Sequence, residues 1–272
     1  MSDKILSKNT YRAYKSTNDR FVQYLLDTKQ DQSEESAYHF LFFLRRSGKN
    51  DATIGRNRSA LKTLFGYDLS DFGLSISKDS PSIPVGFDKI KEYLAKFESS
   101  DNLVDRRDWL VIALLYWGGL RRSEVANIKI EHINEDDNSI YLPITKAQEP
   151  QSITIDPILI DKMINYRIDL NKNGYRGTNV FLSFSRNNSG GKPLTDQSIN
   201  LIVKRRLGPE AKADYLRHGC ITDLVNNGAN PQTVQIHARH KSMGTTLMTY
   251  YHPPTEKENP MNFLPATVDK SE

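Results

Sequence analysis

The chain has few of the features that commit a protein to a membrane, an oxidising compartment or a fibrous architecture. A single cysteine, Cys220, stands among 272 residues, which excludes an internal disulfide framework and fits a reducing environment. No arrangement for thiol catalysis surrounds it, so Cys220 reads as a small buried apolar residue rather than a nucleophile. No apolar run approaches the roughly 20 residues of a membrane-spanning helix. The opening Met1-Ser2-Asp3-Lys4 lacks the apolar core of a secretory signal. Internal repeats and low-complexity segments are missing too. Together these absences point to an unprocessed cytoplasmic protein with no membrane association.

What is present describes a globular chain. Apolar residues make up 38% and charged residues 26%, and the length allows two modest domains, each with its own core. The net charge of +4 is mildly basic, which permits nucleic-acid binding without requiring it.

The first part of the chain reads as three helices. Residues 9–27 carry Tyr11, Tyr14, Phe21, Tyr24 and Leu25 at helical intervals, with Asn9 or Thr10 as the expected cap. Residues 33–46 open on Ser33, Glu35 and Ser36, pack through Tyr38, Phe40, Leu41, Phe42 and Leu44, and end on Arg45-Arg46. Gly48 and Asn50 break the chain before a third helix, residues 51–67, with Ile54, Leu61, Leu64 and Phe65 inward. Arg12, Lys15, Arg56, Arg58 and Lys62 fall on the outer faces, where they could track a phosphate backbone or simply be solvated.

From Ser70 to Gly86 the periodicity stops, and Ser75, Ser77, Ser80, Pro81, Ser82 and Pro84 mark an extended connector. The expected organisation is a helical domain over 1–75, a linker over 76–86, a second domain over 87–252 and a tail over 253–272. Ile90, Tyr93, Leu94 and Phe97 predict an amphipathic helix. The stretch from Val104 to Trp117 is so apolar after Asp108 that it must be central, and Gly118-Gly119 stops it. Residues 127–155 read as strands with turns at 135–138 and 146–150. Helices follow over 157–172, 194–207, from Arg217 through Leu224, and over 231–240. The tail holds four prolines, which forbid one continuous helix, and its Met261, Phe263 and Leu264 suit docking on a neighbouring subunit.

Chemistry concentrates between Asp214 and His252. Arg217, Arg239, Lys241, four histidines and the adjacent Tyr250 and Tyr251 lie there with few acidic neighbours. Cationic donors beside a hydroxyl nucleophile suit an anionic phosphodiester. Upstream, Arg121 emerges at the mouth of the core helix with Glu124 three residues on, within pairing reach if the turn is helical. Lys146 sits in a hairpin turn. Lys204 and Arg205 close a helix.

In this order, Gly119-Leu120-Arg121-Arg122-Ser123-Glu124-Val125, the hairpin lysine, Leu216-Arg217-His218, His240-Lys241-Ser242 and Thr245-Thr246 with terminal Tyr and His resemble the tyrosine recombinases, the phage integrase family of site-specific DNA recombinases. The resemblance spans nearly the whole chain. It implies a mainly α fold with a small antiparallel sheet: a helical, SAM-like core-binding domain followed by a catalytic domain. It implies a tyrosine that attacks a scissile phosphate to form a 3′-phosphotyrosyl bond, reversed by a hydroxyl of the partner strand, with neither metal, cofactor nor ATP. Arg121, Lys146, Arg217 and His240 match the family's catalytic positions, and the implied partners are double-stranded recombination sites and, in the synaptic complex, three further copies of a chain that is monomeric when free. With no arm-binding domain evident before residue 9, binding only to core sites is expected.

Three positions depart from the family pattern. Asp214 replaces the usual histidine three residues before Arg217, where it could pair with the arginine, act as a base for the tyrosine, or be compensated by His218. Arg239 replaces the glycine before the late histidine. Thr249 occupies the usual tyrosine position, so Tyr250 is the expected nucleophile, with Tyr251 second. Lys204, Arg205, Arg239 and Lys241 join the candidate DNA contacts. Two alternatives stand beside the recombinase: a DNA-binding protein of the same fold with impaired chemistry, and a type IB topoisomerase-like relaxing enzyme.

Overall fold

The computed structural model describes residues 6–73, 87–143, 149–184 and 191–250. The chain divides into two compact units, Met1–Pro81 and Ser82–Glu272.

In the first unit, three helices pack together: α1 (Lys8–Thr28), α2 (Glu34–Arg46) and α3 (Asp51–Phe65). Each begins where a short polar side chain accepts from an otherwise orphaned N–H: Ser7 from Thr10, Ser33 from Ser36 and Asn50 from Thr53. The cap of α1 is thus Ser7 rather than Asn9 or Thr10. Glu34 and Glu35 in the first turn of α2, and Arg45 and Arg46 in its last, complement the helix dipole.

Phe21, Phe40, Leu41, Ile54 and Leu61 form the centre of this unit. The inward stripe of α3 runs through Ile54, Asn57, Ala60 and Leu61, which leaves Leu64 at the edge and exposed. Tyr11 and Phe42 are exposed as well, where the sequence pattern placed them inward. Apolar packing also runs past the expected end of the pattern. Leu69 and Phe72 are buried, and Arg58 donates to the Phe72 carbonyl at 3.2 Å. Asn57, a polar residue in the core, accepts from the Thr17 hydroxyl at 3.0 Å and from Arg20 at 3.2 Å, so its burial leaves no unmet acceptor.

The second unit is built around α5 (Leu103–Tyr116), in which every residue from Arg107 to Tyr116 is buried. Such a helix has no solvent face, and α4 (Phe87–Phe97), α7 (Pro157–Lys172), α8 (Asp196–Leu207) and α9 (Ala213–Asn226) cover it. A short α6 (Arg122–Ala126) follows it, and α10 (Pro231–Ala238) and α11 (Met243–Tyr250) complete the unit. Thr195 caps α8, so that helix starts two residues after Leu194.

The sheet is antiparallel in the order β1 (Ile133–Asn134), β2 (Ser139–Leu142), β3 (Gln151–Thr154), with Ile140 opposite Ile153. The strand expected from residue 127 shrinks to two residues. Ile130–His132 winds into a 3₁₀ turn instead, in which the His132 ring accepts from the Lys129 N–H at 3.2 Å. The connector over 76–86, the hairpin turn with Lys146, and the tail over 253–272 lie outside the described residues. Among those described, no helix is long and apolar enough to cross a membrane.

The charged exceptions in the buried run of α5 are Arg107 and Asp108, and the fully buried Asp108 collects Arg107, Arg205 and Arg206, each at 2.7 Å. Replacing Asp108 with alanine strands the buried Arg107 without its carboxylate, at a cost of about 3–5 kcal/mol, whereas Arg205 is more than half exposed and Arg206 keeps Asp105. Urea denaturation of the full chain measures it, and a loss under about 1 kcal/mol would show that the cluster re-solvates freely.

Candidate active site

The ends of several helices of the second unit meet around one loop. After α5 the chain turns at Gly119, whose φ of 55° lies in the left-handed region and whose missing Cβ would sit 3.0 Å from the His237 ring nitrogen Nε2. The turn aims the Gly119 carbonyl inward and brings Arg121 to the N-cap of α6. There the Arg121 backbone N–H donates to Glu124 at 2.7 Å and its guanidinium does so at 2.9 Å, which realises the expected i, i+3 pair.

Arg217, on the buried side of α9, directs its two Nη atoms at the carbonyls of Gly119 and Ala238. Arg239 joins from the end of α10, donating to Glu124 at 2.8 Å and to the Gly119 carbonyl at 3.1 Å. Its own carbonyl accepts from Arg121 at 3.3 Å. His240 follows directly, its Nδ1 2.9 Å from the hydroxyl of the buried Thr246 on α11. Arg121, Arg217 and His240, far apart in sequence, are therefore gathered in one place.

Electrostatics reflect this crowding. Burial raises the Glu124 carboxyl, but Arg239 and the Arg121 N–H outweigh it and hold it below the usual range. Burial and then the charges of Arg217 and Arg121 push His240 down to about 4, so it is neutral at pH 7. His237 is lowered by burial and by Arg239 and Arg217, and His218 by burial and Arg217. Burial pushes the Cys220 thiol up to about 11, consistent with an inert packing residue. A cleft of about 810 Å³ opens beside the cluster, lined by Gln151 and Thr154 of β3 and by Gln235, Arg239, His240 and Lys241.

Other predicted residues fall elsewhere. Asp214, in the first turn of α9, is exposed and takes part in none of the ion pairs among the described residues, while Arg217 is buried on carbonyl oxygens. Arg239, expected as a surface DNA contact, is an interior residue 7% exposed. Arg205 is tied to Asp108, whereas Lys241 is exposed and Lys204 half-buried. In the first unit Arg12, Lys15, Arg56 and Lys62 are exposed, with Arg58 half-buried on Phe72. Tyr250 closes α11, but its side chain, like Lys146 and Tyr251, lies outside the described residues. Sequence reasoning missed Thr246 as the partner of His240 and the Gly119 carbonyl as an anchor. The Gly118-Gly119 stop was visible, but not the direction in which its carbonyl points.

The model of the Phage integrase family matches residues 87–257, and that of the phage integrase N-terminal SAM-like domain matches residues 1–70. The chain belongs to the phage integrase family. It is a tyrosine recombinase, and enzymes of this family break and rejoin DNA. Among curated relatives, the tyrosine recombinase XerD of Listeria innocua is 27% identical, covering 92% of this chain and 90% of the relative. The tyrosine recombinase XerA of Pyrococcus horikoshii is 27% identical over 88% of this chain and 82% of its own length. The fold matches a Tn1549 transposon integrase solved in complex with transposon right-end DNA, with a TM-score of 0.70 at 18% identity over 93% of this chain and 92% of that one.

The three lowered histidines of this cluster, together with His132, which burial also lowers, give this recombinase a pH signature. A depressed His contributes stability that is complete above its unfolded pKa near 6.5 and is lost as pH falls toward the folded value, about 4 for His240. The thermal midpoint should therefore drop between pH 7 and pH 5, and drop less steeply in His240→Gln. Parallel slopes for the two proteins would show that His240 is not held neutral by the fold.

Proposed function

We propose that the protein is a site-specific recombinase in which Tyr250 attacks a scissile phosphate held by Arg121 and Arg217. The observation that carries the assignment is the convergence of those two guanidiniums and His240 on one cluster. Two arginines can hold the non-bridging oxygens and stabilise charge that grows in the transition state. The Tyr250 oxygen forms a bond to phosphorus as the bond to the 5′ oxygen breaks. Lys146 protonates that leaving oxygen. His240, neutral at pH 7, serves as the hydrogen-bond or proton acceptor for the attacking phenol. A 5′ hydroxyl from the partner strand then displaces the tyrosine, and no net energy source is needed because one phosphodiester replaces another.

The remaining assignments follow the same reading. Residues 1–75 serve as the core-binding domain, 87–252 as the catalytic domain and 253–272 as a tail that docks on a neighbour within a four-protomer synaptic complex. Exposed Arg12, Lys15, Arg56, Lys62 and Lys241 contact phosphates, so affinity falls steeply with salt. A cytoplasmic location follows from such a substrate.

The test uses a nicked duplex built on the sequence that the protein enriches from a random duplex pool. A covalent protein–DNA adduct on a denaturing gel is expected, lost in Tyr250→Phe and retained in Tyr251→Phe. Arg217→Ala should slow its formation by about 10²–10³-fold. Tight binding with no adduct from the wild type would instead support a DNA-binding protein whose chemistry is impaired by Asp214. Plasmid relaxation without a second site would support the topoisomerase-like alternative.

A further inference from the structure

Arg239 occupies a backbone conformation that ordinarily belongs to glycine. It caps α10 with φ 51° and ψ 47°, its N–H returning to the carbonyls of Gln235 and Ile236. A side chain there meets a steric cost that glycine avoids. Arg239 also keeps a guanidinium in the interior, with its side chain 3% exposed. Both costs persist only if surrounding contacts over-determine the residue.

Those contacts are specific. Nη2 donates to Glu124 Oε2 at 2.8 Å and to the Gly119 carbonyl at 3.1 Å, and Nη1 donates to the His237 carbonyl at 3.0 Å. Arg121 holds the other oxygen of the same carboxylate, at 2.9 Å, and Arg217 donates to the same Gly119 carbonyl. Arg239 is thus the residue through which Arg121 and Arg217 are connected. Its side chain is 3% exposed against 21% for Arg121, so of these two guanidiniums that of Arg121 is the more open to a phosphate oxygen.

We propose that Arg239 is a positioning residue. It locks Glu124 and the Gly119 carbonyl together, and so fixes the separation of the two guanidiniums that hold the scissile phosphate. The proposal rests on that assignment of Arg121 and Arg217. Where the family pattern has a glycine, this chain has a side chain that braces the site.

Arg239→Gly and Arg239→Lys test it, with thermal unfolding confirming that both fold. The glycine variant relieves the backbone strain while removing the brace. On the nicked substrate at saturating protein, adduct formation should slow by about 10–100-fold in Arg239→Gly, the scale of a misplacement near 1 Å. Arg239→Lys, which keeps a charge for Glu124, should recover part of that loss. The Kd for the same duplex should stay within about threefold, and the slope of log affinity against log salt should not change. A slope reduced by about 0.9 would mark a lost phosphate contact and overturn the positioning role. Equal cleavage rates would overturn it as well.

If the wild type forms no adduct, the parent reading fails separately. The positioning claim is then decided by a double-mutant cycle on duplex binding. Arg121→Ala should weaken binding less in the Arg239→Gly background than in the wild type, and an additive cycle would sink the claim.

Discussion

A single carboxylate ties together the arginine cluster of the second unit. Glu124 is shared by Arg121 and Arg239, with Arg217 close by on carbonyl oxygens. A buried carboxylate raises its own energy, and the guanidiniums around it lower that energy again. Neither half of the arrangement is favourable alone. Backbone carbonyls supply the remaining negative charge, which is why the turn at Gly119 matters as much as any ionisable side chain. Burial, and then the charges of Arg217 and Arg121, lower the basicity of His240, so the crowding that suits an anionic phosphodiester also helps to set the protonation state of the neighbouring histidine.

The apolar helix α5 organises this arrangement from its two halves. Near its start Asp108 collects Arg107, Arg205 and Arg206; beyond its end the chain turns through Gly119 into Arg121. Between them every residue is buried, which makes the helix a rigid spacer anchored by ionic contacts near one end and by the Glu124 network at the other. Basic residues on α8 that look in sequence like a phosphate-binding run are partly consumed by the first cluster. Residue type alone does not separate the two uses; the position of the opposing carboxylate does.

Much of the architecture was legible from periodicity. The bounds of α7, the central place of α5 and the Arg121–Glu124 pair all follow from apolar spacing, a glycine pair and the helical i, i+3 rule. Two kinds of information were not. Burial at the margins of helices depends on which neighbours arrive, so Tyr11, Phe42 and Leu64 face outward while Phe72 is drawn in. The fate of Arg239 depends on a backbone rotation at one residue. In sequence it was one more cation near the site, whereas in three dimensions it points inward onto Glu124. Long-range polar contacts of this kind leave no periodic trace in a chain.

The distance along the polypeptide between the members of the network has a consequence for the cell. Arg121 and Arg239 are joined through Glu124 although 118 positions separate them, and Arg217 binds a carbonyl 98 positions upstream. A nascent chain on the ribosome, or a proteolytic fragment, carries early members of the pocket without the late ones that orient them. The cluster can therefore form only once the chain has been made at least as far as Arg239 and has folded.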